Sequence, residues 1–498
     1  MSQQQAIILG VDITTSELAL AVRDVDGNEG FAATKMRGAI HWRDDRQFPG
    51  FDLAELPGMI NELLDRLESD GWNFSAEGPA TRMMSVACRQ HDMVLLDQGG
   101  EPLLPALSWQ CNVATAEVGW LREQGVEQTV GPIAERFVLP KLRSVLNREP
   151  SFCDRLSTVF MTGDWLAMVL TGERTVSASD ALSNGLLDQS TRRKDDAVFQ
   201  RAGFSPAWFP AVVRSGEVIG PVLARSQTPA AWTGIAQRLQ GWRFVAGLGD
   251  NHASAVGCGM TDDYRTLVVS AGTSGTINYA CSRPVSDAFH GDAMRFEFYD
   301  QGTLLLAMLA DCAAWYNRFL DEFSPGPPDH QRLNEQAAAS DWQRLRRIAH
   351  DDRAHVENYP ADFRSWSLAE QVAATQFSIV LELLVRTRDM IRALPPSSVR
   401  TFVLTGGLSQ STFFQQVFRT GVELLAPGAE VRVSARSGPL RYKTSAYGAM
   451  INAELPLHPG GLAAIHAQPN LFPQRECAAV ADSGKAETLR SLLRASGM

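Results

Sequence analysis

Ala6 to Val11 is an unbroken apolar run, interrupted by the polar stretch Asp12-Ile13-Thr14-Thr15-Ser16 and resumed from Leu18 to Val22 before Asp26-Gly27. This pattern predicts strand, polar turn, strand, tight turn. The device returns in the other half of the chain. There Thr266 to Ser270 reads as a strand, Ala271-Gly272-Thr273-Ser274-Gly275 as a turn and Thr276 to Ala280 as a strand. Identity between the copies is weak, so a duplicated domain is expected from pattern alone. Apolar positions at helical spacing predict helices over Leu53–Leu67, Ala369–Leu394 and Thr412–Leu425. Short apolar segments at Met84–Ala87, Met93–Leu96, Phe244–Ala246 and Phe402–Leu404 predict interleaved strands, so the fold class is layered α/β. Ser324-Pro325-Gly326-Pro327-Pro328 reads as a loop and the last thirty residues as a peripheral helix. Gly247-Leu248-Gly249-Asp250 reads as a glycine-rich bend after a buried strand, and the main boundary is placed there.

A chain of 498 residues exceeds one hydrophobic core, which implies two or three domains. Composition is that of a folded protein, with 45% hydrophobic and 20% charged residues. The net charge of −10, without a Lys/Arg block, argues against nucleic acid or an anionic membrane as partner. No uninterrupted apolar run reaches the ~18 residues of a membrane span. The polar start Met1-Ser2-Gln3-Gln4-Gln5 lacks the basic region and cleavage site of a signal peptide. The seven cysteines are scattered, without a CxxC pair. Free thiols and a cytoplasmic location are therefore expected.

Three constellations carry candidate chemistry. Phosphate oxygens need several N–H donors at close range, and tight turns of glycine and small hydroxyl residues supply them. Gly272-Thr273-Ser274-Gly275 suits this well, and Thr14-Thr15-Ser16 suits it without a glycine. Either alone could be an ordinary hairpin turn. Two carboxylates stand beside strand ends. Phosphoryl transfer needs a metal near the phosphates and a base near the attacking hydroxyl. Asp12 suits the first role through metal-bound water and Asp250 the second, although a strand-end carboxylate can simply cap the next element. Third, Val403-Leu404-Thr405-Gly406-Gly407-Leu408-Ser409 leads into an amphipathic helix, a strand–glycine–helix shape that accepts a nucleotide.

Taken together and in order, these pieces resemble the FGGY family of carbohydrate kinases over nearly the whole chain. The resemblance is carried by Arg89-Gln90-His91-Asp92, Leu107-Ser108-Trp109-Gln110, Thr162-Gly163-Asp164-Trp165 with Ser179-Asp180-Ala181 and Gly185-Leu186-Leu187-Asp188, and Ser215-Gly216-Glu217. It is also carried by Gly247-Leu248-Gly249-Asp250-Asn251, Leu404-Thr405-Gly406-Gly407 and Ser445-Ala446-Tyr447-Gly448-Ala449, the last two looking like adenosine-binding elements. The resemblance implies two actin-like (ribonuclease H-like) ATPase domains around a central cleft. Residues 1–249 would bind sugar and residues 250–498 would bind ATP with Mg²⁺. It implies Asp250 as catalytic base and Asp12 beside the metal. Thr14, Thr15, Gly272 and Thr273 would contact phosphate, Gly406, Gly407 and Gln410 the nucleotide, and Gln90, His91, Trp109 and Asn251 the sugar. The Asp-Asn pair with His91 is most similar to the xylulokinase branch, making a ketopentose such as D-xylulose the expected substrate. A kinase for another polyol or ketose (glycerol, ribulose, a seven-carbon ketose) remains an alternative, as does a kinase-like sensor. Family members are often dimers, and nothing in the sequence decides for or against a homodimer.

The chain departs from the family pattern in places. Thr14 stands where Gly is usual and Ala19 where Lys or Arg is usual. Cys111-Asn112-Val113 replaces an acidic residue followed by Arg, and Asp352-Arg353 alone suggests the usual Gly-Glu-Arg loop. Loss of an arginine removes a fork donor from the sugar region, so these positions bear on substrate choice and on activity.

Overall fold

The computed structural model describes residues 6–75, 81–111, 113–282, 293–299, 302–324, 326–340, 342, 345–351, 356–395, 398–435, 443–468 and 471–498. Met1 to Gln5, Asn112, Pro325, Asp352 and Arg353, all invoked above, lie outside them. The chain forms two compact units. The first comprises Met1–Gly257, Phe296–Gln301 and Pro439–Gln468, and the second Cys258–Arg295, Gly302–Gly438 and Pro469–Met498. The sequence-based division stood at residue 250; by packing, the helix after that point and a late segment belong to the first unit.

In the first unit, β1 (Ala6–Ile13), β2 (Glu17–Asp24) and β3 (Glu29–Lys35) form an antiparallel meander. β4 (Thr81–Cys88) pairs parallel with β1. β5 (Val218–Pro221) pairs antiparallel with β6 (Arg243–Gly249), which pairs parallel with β4. The order is β5-β6-β4-β1-β2-β3. Side chains alternate across a strand. Leu9, Val11, Leu20 and Met84 therefore share one face, where they meet Ile60 and Leu64 of α1 (Glu55–Ser69) and Leu166 and Leu170 of α2 (Thr162–Thr171). Asp12 points to the opposite face. Two further helices, α3 (Ala178–Ser183) and α4 (Asp250–Gly257), complete what the site uses.

The second unit repeats this topology. β7 (Thr266–Ala271), β8 (Gly275–Ser282) and β9 (Gly302–Leu309) form the meander. β10 (Thr401–Thr405) and β11 (Glu430–Ser434) continue it in parallel, and β12 (Gln474–Glu476) closes it antiparallel. The two sheets thus share three antiparallel strands, two parallel strands and an antiparallel edge, the ribonuclease H-like order the resemblance implies, and the second sheet adds a seventh strand, Met294–Phe298, beyond β9. The duplication legible as a hydrophobic pattern is a duplication of topology. Two long helices cover this sheet. α5 (Leu368–Arg392) opens with a Ser367/Glu370 capping box. α6 (Thr412–Leu425) is capped by Ser411. α5 is long and apolar enough to cross a membrane, but most of its apolar stretch is buried in this unit's core. The predicted terminal helix is present at Ser483–Ala495 and buries Leu489 and Leu493.

The chain then returns to the first unit as α7 (Thr444–Glu454), on the Asp12 face of β1. α7 crosses α4 at backbone distance: a Cβ on Gly448 would lie 1.7 Å from the Ala253 carbonyl oxygen. The Ser445–Ala449 stretch was expected at the nucleotide. It is instead a packing element of the first unit, with Ala446 to Ala449 buried. Its small residues answer the need for close helix crossing.

Candidate active site

Asp250 opens α4 directly after β6. The expected glycine-rich bend is not there, because Gly247 and Gly249 lie inside the strand. Close approach explains Gly249, where a Cβ would stand 2.4 Å from the Gln90 side chain. Asp250 Oδ1 accepts hydrogen bonds from the backbone N–H of Asn251 (2.9 Å) and Gln90 (3.5 Å). Asn251 Nδ2 donates to Gln90 Oε1 at 2.9 Å and to Asp250 Oδ1 at 3.3 Å. The structure therefore brings together three of the predicted residues, Asp250, Asn251 and Gln90. Burial pushes the Asp250 carboxyl up to about 6 against the two backbone N–H bonds, with Asp92 adding to the rise. Such a group is mostly ionised at neutral pH yet close enough to it to exchange a proton. Ser179 of α3 holds the junction. Its Oγ accepts the Gly249 N–H at 3.2 Å and lies 3.2 Å from His252 Nδ1. His252 is kept neutral by burial, its pKa pushed down to about 3.

The loop after β4 carries the second group. Arg89 and Asp92 form an ion pair at 2.7 Å with both side chains buried, and Asp92 Oδ1 accepts the Trp109 N–H at 3.1 Å. His91 sits at φ +70, stacked on Phe137 with ring centroids 4.8 Å apart. Burial, then the charges of Arg136 and Lys141, hold its pKa well below the imidazole range. Its protonation pattern follows from Asn184. That amide donates through Nδ2 to the Asp180 carbonyl at 2.9 Å, so its Oδ1, 3.2 Å from His91 Nδ1, is an acceptor. On this assignment His91 is neutral with hydrogen on Nδ1, leaving Nε2 a lone pair. Lys141, fully buried, donates to the carbonyls of His91 and, at 3.3 Å, of Ser108. It thereby ties together the loops carrying Gln90, His91 and Trp109. Arg89, Asp92, Lys141, Asn184 and Ser179 were missed as site residues. Lys141 had a signal: a lone Lys on the apolar face of Val138, Leu142 and Val145.

Asp12, at the end of β1, is 2% exposed. Ser445 Oγ of α7 donates to its Oδ2, while Oδ1 is buried without a hydrogen-bond partner. Burial pushes its pKa up to about 7, against the Ser445 bond, and the charge of Asp250 raises it further. Lys443 pairs with Glu17, and its charge favours ionised Asp12 while that of Glu17 opposes it. The Thr14 hydroxyl is committed to its own turn, donating to the Glu17 carbonyl at 2.9 Å and accepting the Glu17 N–H at 3.0 Å. This gives Thr14 a local reason to replace glycine. Thr15 is exposed, and its Oγ1 accepts the Trp109 indole N–H at 3.0 Å. Val113 is partly buried against the core.

In the second unit the two glycine elements also adjoin. Gly406, at φ +93, lies so close to the end of β7 that a Cβ would stand 2.5 Å from Ala271 carbonyl atoms. Gly407 is different: it is exposed, at φ −60, and a Cβ there would meet nothing within 4 Å. Gln410 follows on the same turn, bonded through Nε2 to Ser409 Oγ at 3.1 Å. In the turn after β7, Thr273 is exposed, and a Cβ on Gly272 would meet the Ser274 carbonyl oxygen at 3.4 Å and Ser270 Oγ at 3.9 Å, both ordinary contacts. Local packing thus demands glycine at 406 but not at 272 or 407.

The chain is similar to a xylulose kinase of Streptomyces rubiginosus, 33% identical over 293 residues, 56% of this chain and 56% of that protein. The match thus spans about half the length of this relative. Among solved structures, xylulose kinase from Rhodospirillum rubrum superposes with a TM-score of 0.79 at 20% identity, covering 99% of this chain and 97% of that one. Gluconate kinase from Lactobacillus acidophilus gives 0.79 at 15% identity, with 99% and 97% covered. These likenesses establish the two-domain actin-like ATPase fold. The model of the FGGY family of carbohydrate kinases, N-terminal domain, matches residues 7–257, which span β1 through α4 and hold Asp12, His91 and Asp250. With more than half its length matched around that carboxylate frame, the chain belongs to the FGGY family of carbohydrate kinases.

Proposed function

We propose that the protein transfers the γ-phosphoryl group of ATP to a hydroxyl of a small sugar, most simply D-xylulose. One observation carries the reading: a carboxylate tuned to about 6 and framed by Gln90 and Asn251. The first half of the chain binds the sugar and the second half ATP. Asp250 accepts the proton of one primary hydroxyl as that oxygen attacks the γ-phosphorus in line. Gln90 and Asn251, already bonded to each other, orient sugar hydroxyls, and His91 accepts one through Nε2. Trp109 offers a partly exposed ring to the sugar's C–H face. The N–H groups of Gly272 and Thr273 meet charge on the transferred group, with Thr15 as a further phosphate contact; Thr14, whose N–H and hydroxyl both donate to the Glu17 carbonyl, shapes that turn instead. The adenosine lies along Gly406, Gly407 and Gln410. The unpartnered, buried Oδ1 of Asp12 suits the water shell of a Mg²⁺ ion. Bound there, the ion supplies charge neutralisation to the phosphates.

The test is sugar-dependent ADP release with Mg–ATP across a panel of ketoses, aldoses and polyols. A large stimulation by D-xylulose is expected. Stimulation by another member alone would reassign the substrate. No stimulation, from folded protein that binds ATP, would favour the sensor reading.

Two predictions arise here. Gly407→Ala should raise the KM for ATP several-fold with an unchanged melting midpoint, because its Cβ clashes only with a ligand. Gly406→Ala should cost about 1–3 kcal/mol of stability for the backbone strain alone. Equal effects of the two on KM and melting would refute this distinction. Second, because Asp250 must be ionised to act as base, kcat/KM should fall about tenfold per pH unit below pH 6. A profile flat to pH 5 would remove Asp250 from that role.

A further inference from the structure

The first unit contains a cavity of about 740 Å³ that shares no residue with the candidate active site. Its size falls in the range of about 300–1,000 Å³ typical of small-molecule sites. Trp165 and Trp232, edge to face at 5.5 Å, form part of its wall with Met168 and Leu104. Four charged residues also line it. Asp52, Glu101 and Arg174 are exposed, whereas Arg225 is half-buried.

Arg225 is poorly answered by the protein. Its Nη2 makes only long contacts, 3.4 Å each, to the carbonyls of Met168 and Val169. Its Nε is buried without a hydrogen-bond partner. Among the described residues no carboxylate pairs with it. A half-buried guanidinium with an unused donor and no counter-ion is costly. An anion entering the cavity would supply both.

We propose that this cavity is a second ligand site, for a small organic anion with a flat apolar body: a ring system carrying one carboxylate or sulfonate. The ring packs against Trp165 and Trp232, and the acid group pairs with Arg225. The occupant would touch the C-terminal half of α2. The other end of that helix borders the active site, where Thr162 Oγ1 donates to Asp92 Oδ2 at 3.4 Å.

The probe is 8-anilinonaphthalene-1-sulfonate, which has this shape and charge, titrated into the full chain and followed by fluorescence. Saturable binding is expected, unaffected by saturating ATP or D-xylulose. Arg225→Gln should weaken it about tenfold, the scale of one charge-assisted pair. Ala231→Trp, at an exposed helix position lining the cavity, should weaken it at least as much by filling the space. Unchanged melting midpoints establish that both variants are folded. Non-saturating binding, displacement by ATP, or wild-type affinity in both variants would overturn the site. Loss in Ala231→Trp alone would overturn the anionic assignment. None of these readouts depends on kinase activity.

Discussion

Asp250→Asn is expected to lower kcat by about three orders of magnitude while leaving ATP affinity within twofold. General-base catalysis contributes about 10²–10⁴-fold, and an amide cannot take the hydroxyl proton. The substitution isolates that loss because asparagine keeps an oxygen where Asp250 Oδ1 accepts the N–H groups of Asn251 and Gln90. Stability should move the other way. The folded-state pKa of Asp250 is raised from 3.8 to about 6, so its protonated form is the one the fold favours. That contribution is complete below about pH 4 and is lost as pH rises through 6. The variant should therefore melt at or above the wild-type temperature at pH 7.5, and the gap should close on acidification toward pH 4. A variant with near-wild-type kcat would end the assignment. A variant inactive but melting well below wild type at pH 7.5 would show that the carboxylate is structural.

How far the sequence alone reaches can be seen residue by residue. The two hairpin devices were legible because a strand's period of two and a polar turn are local. The strand order was not, because β4, β6 and β10 join their sheets through long crossovers that no local pattern encodes. The same holds in the site. Gln90, Asp250 and Asn251 could be named from motifs, but their mutual hydrogen bonds depend on β6 running without a bend into α4. The glycines of that stretch were misread as a turn, since a glycine needed for close approach looks the same as one needed for a bend. Thr14 was read as a departure from the usual glycine. Its hydroxyl in fact closes the turn on Glu17, a compensation invisible without the fold. Ser445 and Lys443 lie hundreds of residues from Asp12 in sequence and reach it only because α7 returns to the first unit.

That return is held by a buried polar network, and Glu454→Leu should destabilise the protein by about 3–5 kcal/mol, the usual cost of breaking a buried ion pair from one side. Glu454, at the end of α7, pairs with Arg23 of β2, and both side chains are buried, at 8% and 6% exposure. Its other oxygen accepts from Gln468 Nε2 at 2.9 Å and lies 2.7 Å from His458 Nε2. Without it, Arg23 would keep a 3.4 Å contact to Gln468 Oε1, and a buried cation would stand nearly alone. Urea denaturation should show the loss as a lower midpoint. Arg23→Met combined with Glu454→Leu should recover much of it, because replacing a buried pair by apolar groups is often neutral. If the double variant is as unstable as the single one, the cost lies in packing at the end of α7 and not in the stranded charge. The network also reaches the chemistry. α7 begins after Lys443 and carries Ser445, both of which favour ionised Asp12 against the effect of its burial. A loosened α7 should therefore reduce kcat/KM in Glu454→Leu below the unfolding transition, and the double variant should restore it in parallel with stability.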